Sequence, residues 1–460
     1  MTVLVDLALT LVSLCAPQGG DAAAPAAQAP LLTPAEQKSL HDKLVKLVEL
    51  RIEYDASTGK ERERASKQYE KAREAFDKEW DQRAEKKGNL LRSTIDTAAI
   101  FDNCFTFERK SATAIKLETP KDNSPYCIAV PKAYKADAPS RAVVVIPGAG
   151  DAVGTWVEGR DWFAKTWDKS VAAGDTIFHV NQVSKGVDFD TMPDFGRDGD
   201  DVTELTRIGE ALKSFGETNR GYNLDRKRVF LDCGKGSCGF ALRLAANFPD
   251  RFAGLILRHP TEVDGLRLGS LTGVPVLLIA DGATAAAAAK VQKALNELEK
   301  DACKILSATD GYPFKGATTE IEAWMSGVKR NLTRSKVVLE PNDDRFRRGY
   351  WVSIGRMDEI RLAPPDQRPR LEAVVDRAAN RITVKCVGIE TFALALSDAL
   401  LDLDREYTIV VNDKAFTEKR TRDFNAMFDG MIKKFDSEYV FPVSFECAVP
   451  KAEAAKEPGK

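Results

Sequence analysis

The sequence predicts an α/β protein: a doubly wound, mostly parallel sheet flanked by helices, with an N-terminal helical hairpin and a small C-terminal β-sandwich domain. Three observations carry this expectation. In 111–335 short apolar runs alternate with helical segments, the order of βαβ units. Upstream, Thr33 to Phe105 is charged and shows apolar residues at helical spacing. Downstream of Leu332, short alternating strands follow one another closely, as in a sandwich.

The 460 residues are 43% hydrophobic and carry a formal net charge of −2, the balance of an ordinary chain with room for two or three domains. That charge leaves no electrostatic footprint for nucleic acid. The chain divides into a leader-like segment with a flexible spacer (1–30), a helical region (31–110), the α/β domain (111–335), a β-rich domain (336–449) and a tail (450–460). Within 1–30, an apolar run from Leu7 to Ala16 precedes an Ala/Pro/Gly/Gln stretch free of Lys and Arg. This is the pattern of a secretory signal, although Asp6 stands where a positive residue is usual, and it predicts export to the periplasm or cell envelope. Cys15 is a candidate for lipidation, but the preceding Leu14 is larger than that processing normally takes. No other segment is long and apolar enough to span a bilayer.

Thr33 is placed to cap a helix, with Pro34 at its first position and Glu36 at its third; Leu40, Leu44, Leu47 and Val48 follow on one stripe. Ser57 to Gly59 reads as a turn into a second helix carrying Tyr69, Ala72, Phe76 and Trp80, so the two form an antiparallel hairpin. The stripe covers too few heptads for a long coiled coil, which favours packing against the main domain over a partner-binding coil.

The α/β region begins with a strand over Cys127 to Pro131 and a buried strand over Arg141 to Ile146, ending in Pro147-Gly148-Ala149-Gly150-Asp151. A helix around Trp162 to Val171, a strand over Thr176 to Val180, an aspartate-rich loop and a helix from Val202 to Phe215 follow. The aspartates (Asp188, Asp190, Asp194, Asp198, Asp200, Asp201) lack the spacing and distal Glu of an EF-hand, and no Cys-x-x-Cys or Cys/His cluster suggests zinc. Neither a metal nor a cofactor is expected.

The most informative stretch is Val229 to Phe252. A strand, Val229-Phe230-Leu231-Asp232-Cys233, runs into Gly234-Lys235-Gly236-Ser237-Cys238-Gly239 and a helix closed by Phe248-Pro249-Asp250-Arg251-Phe252. It resembles the nucleophile elbow of the α/β-hydrolase superfamily, Gly-x-Ser-x-Gly before a helix ending in a Pro-Asp-Arg-Phe type of sequence. Counting back from Pro249 by that family's usual interval puts Lys235 at the nucleophile position, with Cys233 and Ser237 at the small flanking ones. The alternative register makes Ser237 the nucleophile, with Lys235 where the turn wants almost no side chain. By the same resemblance, Ala149 and Gly150, together with Gly236, match the oxyanion-hole loop. The family's histidine follows the last core strand, where Asp310 stands in Ala308-Thr309-Asp310-Gly311. Its acid position offers only Asp281.

Only three histidines are present, His41, His179 and His259, and none falls at the general-base position. His259 and Asp281 are therefore pocket candidates, and Lys235, Ser237 and Asp310 hold degenerate triad positions. Lys235 and Asp310 are expected to form an ion pair, with Lys235 in a left-handed or strained conformation. The fold of 111–335 followed by strands such as Thr408-Ile409-Val410-Val411 and an Asp402-Leu403-Asp404 element resembles secreted planctomycete-type hydrolase-like proteins. Two functions follow: a binding or structural role in the cell envelope on a scaffold that has lost its triad, with an envelope protein or small anionic ligand as partner, or an active hydrolase using Ser237 with Lys235 as base. For an exported chain, Cys386 with Cys447 and Cys104 with Cys127 are candidate disulfides; otherwise these are buried small apolar residues.

Overall fold

Thr33 closes the first turn of helix α1 (Pro34–Ala56) in the computed structural model as a reciprocal capping box. Its N–H donates to the Glu36 carboxylate at 2.8 Å while the Glu36 N–H donates to its hydroxyl at 3.3 Å. The structure describes residues 29–107, 110–111, 116–118, 126–148, 161–162, 165–167, 174–181, 189, 200–261, 263, 265–360, 363–364 and 366–450. Helix α2 (Gly59–Lys87) runs back along α1, as cross-links from Glu36 to Arg83 and from Lys43 to Glu79 require. The hairpin's apolar stripe, with α3 (Thr94–Phe101), is expected from the sequence to pack against the main domain. Leu40, Leu44, Leu47 and Phe76 pack instead on Phe424, Met427, Phe428 and Met431. Those four lie on one face of a helix inserted in the C-terminal domain, α8 (Phe424–Lys434), at the spacing that one helical stripe demands.

Among the described residues the central sheet has eight strands, in the order β1-β2-β4-β3-β5-β6-β7-β8. They are β1 (Lys116–Glu118), β2 (Tyr126–Ala129), β3 (Ser140–Ile146), β4 (Thr176–Asn181), β5 (Leu224–Cys233), β6 (Gly254–Arg258), β7 (Val276–Ala280) and β8 (Cys303–Ser307). β2 is antiparallel to β1 and β4, and every other neighbouring pair is parallel. Strands β2 to β7 are buried along their whole length or nearly so, which is why they read as continuous apolar runs. Val144, Ile146, Leu231, Leu255 and Leu257 face one layer with α4 (Asp200–Gly221), α5 (Cys238–Asn247) and α6 (Ala285–Leu298). Val143, Val145, Phe230, Ile256 and Ile279 face the other, with Trp167 and α7 (Thr318–Gly327). The alternation follows from the two-residue period of a strand.

The C-terminal domain is a sandwich of a four-stranded sheet, β10-β11-β14-β17, and a five-stranded one, β16-β15-β13-β12-β9. Its strands are β9 (Lys336–Leu339), β10 (Arg348–Gly349), β11 (Val352–Ile354), β12 (Arg370–Asp376), β13 (Arg381–Val387), β14 (Thr391–Leu396), β15 (Tyr407–Val411), β16 (Lys414–Glu418) and β17 (Val443–Ala448). Trp351, Leu371, Ile382, Leu394 and Ile409 fill the space between the sheets. Strand β16 was not anticipated: it is an edge strand with no buried residue, and its turn is made by Asn412 and Asp413, both at positive φ.

The two domains meet at the amino edge of the central sheet. Asp250 accepts the Tyr350 N–H at 2.9 Å, and the Tyr350 hydroxyl donates to the Pro249 carbonyl at 2.9 Å. The Pro-Asp-Arg-Phe turn thus serves here as a docking point for the β-domain. Of the two readings of the cysteines, the structure has the free one: Cys104, Cys127, Cys386 and Cys447 form no disulfide. Cys104 lies in the hairpin core with its sulfur 3.2 Å from Met431 Sδ, whereas Cys127 is buried inside the central sheet.

Candidate functional site

In a parallel sheet the carboxyl ends of the strands carry the loops that can be varied without disturbing the core. Here that edge gathers the turn after β5, His259 after β6, Asp281 after β7 and the loop from Ala308 to Phe314 after β8. The turn after β5 is held down by its neighbour: the Gly234 N–H donates to the Ile146 carbonyl at the end of β3 at 3.0 Å. Gly148 comes so close that an added Cβ would stand 2.4 Å from the Lys235 carbonyl oxygen. Ala149 and Gly150, the next residues of that oxyanion-like loop, lie outside the described residues.

Lys235 is exposed at the tip of the turn, while Ser237 is fully buried. The Ser237 hydroxyl donates to the Gly234 carbonyl at 3.0 Å and its backbone is ordinary, φ −86° and ψ 3°. The expected strain at Lys235 is not found; the left-handed backbone of the turn falls on Gly236, φ +88°. Glycine carries no Cβ to oppose that conformation, so the turn is made without forcing a side chain into it. Cys233 and Cys238 lie on either side with their sulfurs 3.5 Å apart, and burial, then the neighbouring sulfur, pushes the Cys233 thiol well up.

The structure does not bring Lys235 and Asp310 together. Among the described residues Lys235 makes no ion pair, and Asp310 turns its carboxylate into its own loop, accepting the Gly316 N–H at 2.6 Å. It does bring His259 and Asp281 together. His259 holds φ +60°, with its N–H donating to the Ile279 carbonyl at 2.9 Å. Its Nε2 is 3.9 Å from Asp281 Oδ2, beyond hydrogen-bond length, and the ring stacks on Phe314 with centroids 6.4 Å apart. The Asp281 carboxylate also accepts the Thr284 hydroxyl at 3.0 Å and the N–H groups of Ala283 and Thr284. Burial acts to raise Asp281, but the Thr284 bonds, with His259 beside them, hold it below the usual carboxylate range. These contacts close the turn into α6, so Asp281 has a structural role whether or not His259 is protonated.

Sequence reasoning missed what lies beneath. Asp232, the penultimate residue of β5, and Arg258, the last of β6, form a buried ion pair, Nε to Oδ1 2.8 Å, each side chain 1% exposed. Trp167 Nε1 donates to the other carboxylate oxygen at 2.8 Å, and Arg258 reaches the Pro313 carbonyl at 2.6 Å. A charge at the same end of two neighbouring apolar strands was a legible signal, because two such charges on one face of a buried sheet must pair.

Among the described residues no group of three or more His, Cys, Asp and Glu side chains could hold a metal ion. Asp188, Asp190, Asp194 and Asp198 lie outside them, and Asp200 and Asp201 open α4. No helix among them is long and apolar enough to cross a membrane.

No protein-family model matches the chain. No curated protein matches it. Solved structures that are similar include a thermostable esterase, 16% identical over 47% of this chain and 63% of that one, with a TM-score of 0.34. Others are esterase PE8, 16% identical over 46% and 100% with a TM-score of 0.33, and an S-formylglutathione hydrolase from Agrobacterium tumefaciens, 11% identical over 48% and 99% with a TM-score of 0.35. By its own strand order and strand directions, with β2 the reversed strand, the chain has the α/β-hydrolase fold.

Proposed function

We propose that this chain is a catalytically degenerate α/β-hydrolase-fold protein that acts by binding, or as a structural component, in the cell envelope. The observation that carries the reading is the state of the elbow: the Ser237 hydroxyl is fully buried and donated to Gly234, and the exposed tip carries Lys235. A serine nucleophile needs its oxygen open to substrate and a base within hydrogen-bond reach. Asp310 occupies the loop from which the family's histidine would come, and it is bonded within that loop. Export rests on the apolar run from Leu7 to Ala16. The partner class this favours is an envelope protein or a small anionic ligand at the Lys235 edge.

The test is incubation of the full chain with a fluorophosphonate probe, alongside a short-chain nitrophenyl ester. No labelling and no turnover above buffer are expected. Labelling or turnover that vanishes in Ser237→Ala would overturn the reading in favour of an active serine hydrolase, and its loss in Lys235→Ala as well would make Lys235 the base.

A further inference from the structure

On the opposite edge of the sheet from the elbow, three elements converge on a cleft of about 140 Å³. The turn after α5 supplies Phe248 and Arg251, the segment entering β10 supplies Phe346, Arg347 and Arg348, and the last turn of α8 supplies Lys433 and Lys434. Two carboxylates, Asp250 and Asp436, also line it, and both are already neutralised. Asp250 pairs with Lys434 at 2.5 Å and accepts the Tyr350 N–H; Asp436 is held by both terminal nitrogens of Arg330. Burial would raise Asp436, but Arg330, with Arg226 and Arg251 nearby, holds it well below the usual range, so it stays ionised and occupied.

Of the remaining cations, Arg345 pairs with Asp343 and Arg251 adds to the field that keeps Asp436 ionised, whereas Arg347, Arg348 and Lys433 have no acid partner among the described residues. Arg251 donates only to the Lys434 carbonyl at 3.4 Å, and Arg347 only to the carbonyls of Asp344 and Gly355. Lysines in the last turn of α8 suit that helix's dipole. The dipole does not account for three arginines brought in from two other elements. Gathered on one cleft, these like charges repel unless a further anion lies between them. Phe248 and Phe346 also line the cleft, their rings edge to face at 5.1 Å, and apolar lining lowers the local dielectric and strengthens a charge contact beside it.

We propose that this cleft is a binding site for a small tetrahedral oxyanion of the phosphate or sulfate class, free or as the terminal group of an ester. Planar guanidinium forks match such oxygens two at a time, and the ammonium of Lys433 adds a point charge. The site is independent of the elbow, so its test does not depend on the fate of the catalytic reading.

The experiment is calorimetric titration of the full chain with inorganic phosphate and, separately, inorganic sulfate at about millimolar concentration, with ionic strength held constant by chloride. Saturable binding is expected. It should weaken by at least about tenfold in Arg348→Ala/Lys433→Ala, a pair of exposed positions whose loss leaves the core untouched. Arg251→Ala should weaken it as a single change, and Lys60→Ala, on the exposed face of α2, should leave it unaltered; melting curves confirm that each variant is folded. A hexose phosphate and a hexose sulfate, titrated in parallel, decide which ester is preferred. Absence of saturable binding would overturn the proposal, as would binding that survives both cleft variants or that only tracks ionic strength.

Discussion

Asp232 and Arg258 show how one pair of side chains underlies the whole carboxyl edge. Two charges taken out of water cost several kcal/mol each, recovered here by a 2.8 Å contact, the Trp167 N–H and the guanidinium lying 5.0 Å from the Trp167 ring centroid. Removing one partner leaves the other charge stranded. Asp232→Ala should therefore lose about 3–5 kcal/mol of unfolding free energy, read as a lower urea midpoint. Replacing both, as Asp232→Leu with Arg258→Met, should return most of that loss. A single variant that loses less than about 1 kcal/mol would place the pair in the class of weak surface bridges.

At the scale of the element, the turn after β5 is decided by backbone more than by side chains. Gly148 and Gly236 are its two demanding positions, for different reasons. At Gly236 a Cβ meets the left-handed φ of +88°, which costs about 1–2 kcal/mol in any L-residue. At Gly148 the obstruction is the Lys235 peptide itself, 2.4–2.5 Å from an added Cβ, and backbone cannot swing aside as a side chain can. Gly148→Ala is thus expected to destabilise more than Gly236→Ala in denaturant titration, and Lys235→Ala, at an exposed tip, to change stability by about 0.5 kcal/mol or less. An equal or reversed order of the two glycine variants would show that the β3 loop, not the elbow, yields.

For the whole molecule, the β-domain is bound through buried polar contacts and through a shared helical core. Arg330 joins Asp436, Arg267 reaches the carbonyls of Pro341 and Pro369, and Glu340 accepts the Gly269 N–H at 3.0 Å. The N-terminal hairpin then clamps α8, with Phe76 and Phe424 ring centroids 5.0 Å apart. Exposed Pro364 lies between β11 and β12, inside the sandwich, so a cut near it divides the β-domain and cannot free the α/β core alone. Instead, limited proteolysis there is expected to give fragments that stay together on size-exclusion chromatography and separate only in denaturant. Separation under native conditions would mean that the β9–β12 and β11–β14 pairings and the hairpin's hold on α8 contribute little to the union.

Much of this protein was legible in the chain itself. Capping at Thr33, continuous apolar strands and alternating sandwich strands are set by local spacing, and burial on both faces of the sheet leaves its mark on every residue of β3, β4, β6 and β7. Tertiary structure alone decided which faces meet. An amphipathic stripe does not name its partner, so the hairpin's burial on α8 could not be read from either helix. Nor could the site: Lys235 and Asp310 match one motif in sequence, yet they form no ion pair among the described residues and Asp310 bonds within its own loop, while His259 and Asp281, from different strands, come within 3.9 Å. Spacing along the chain fixes a residue's place on its own strand. Distances between side chains on separate strands depend on register and loop closure, which no local pattern encodes.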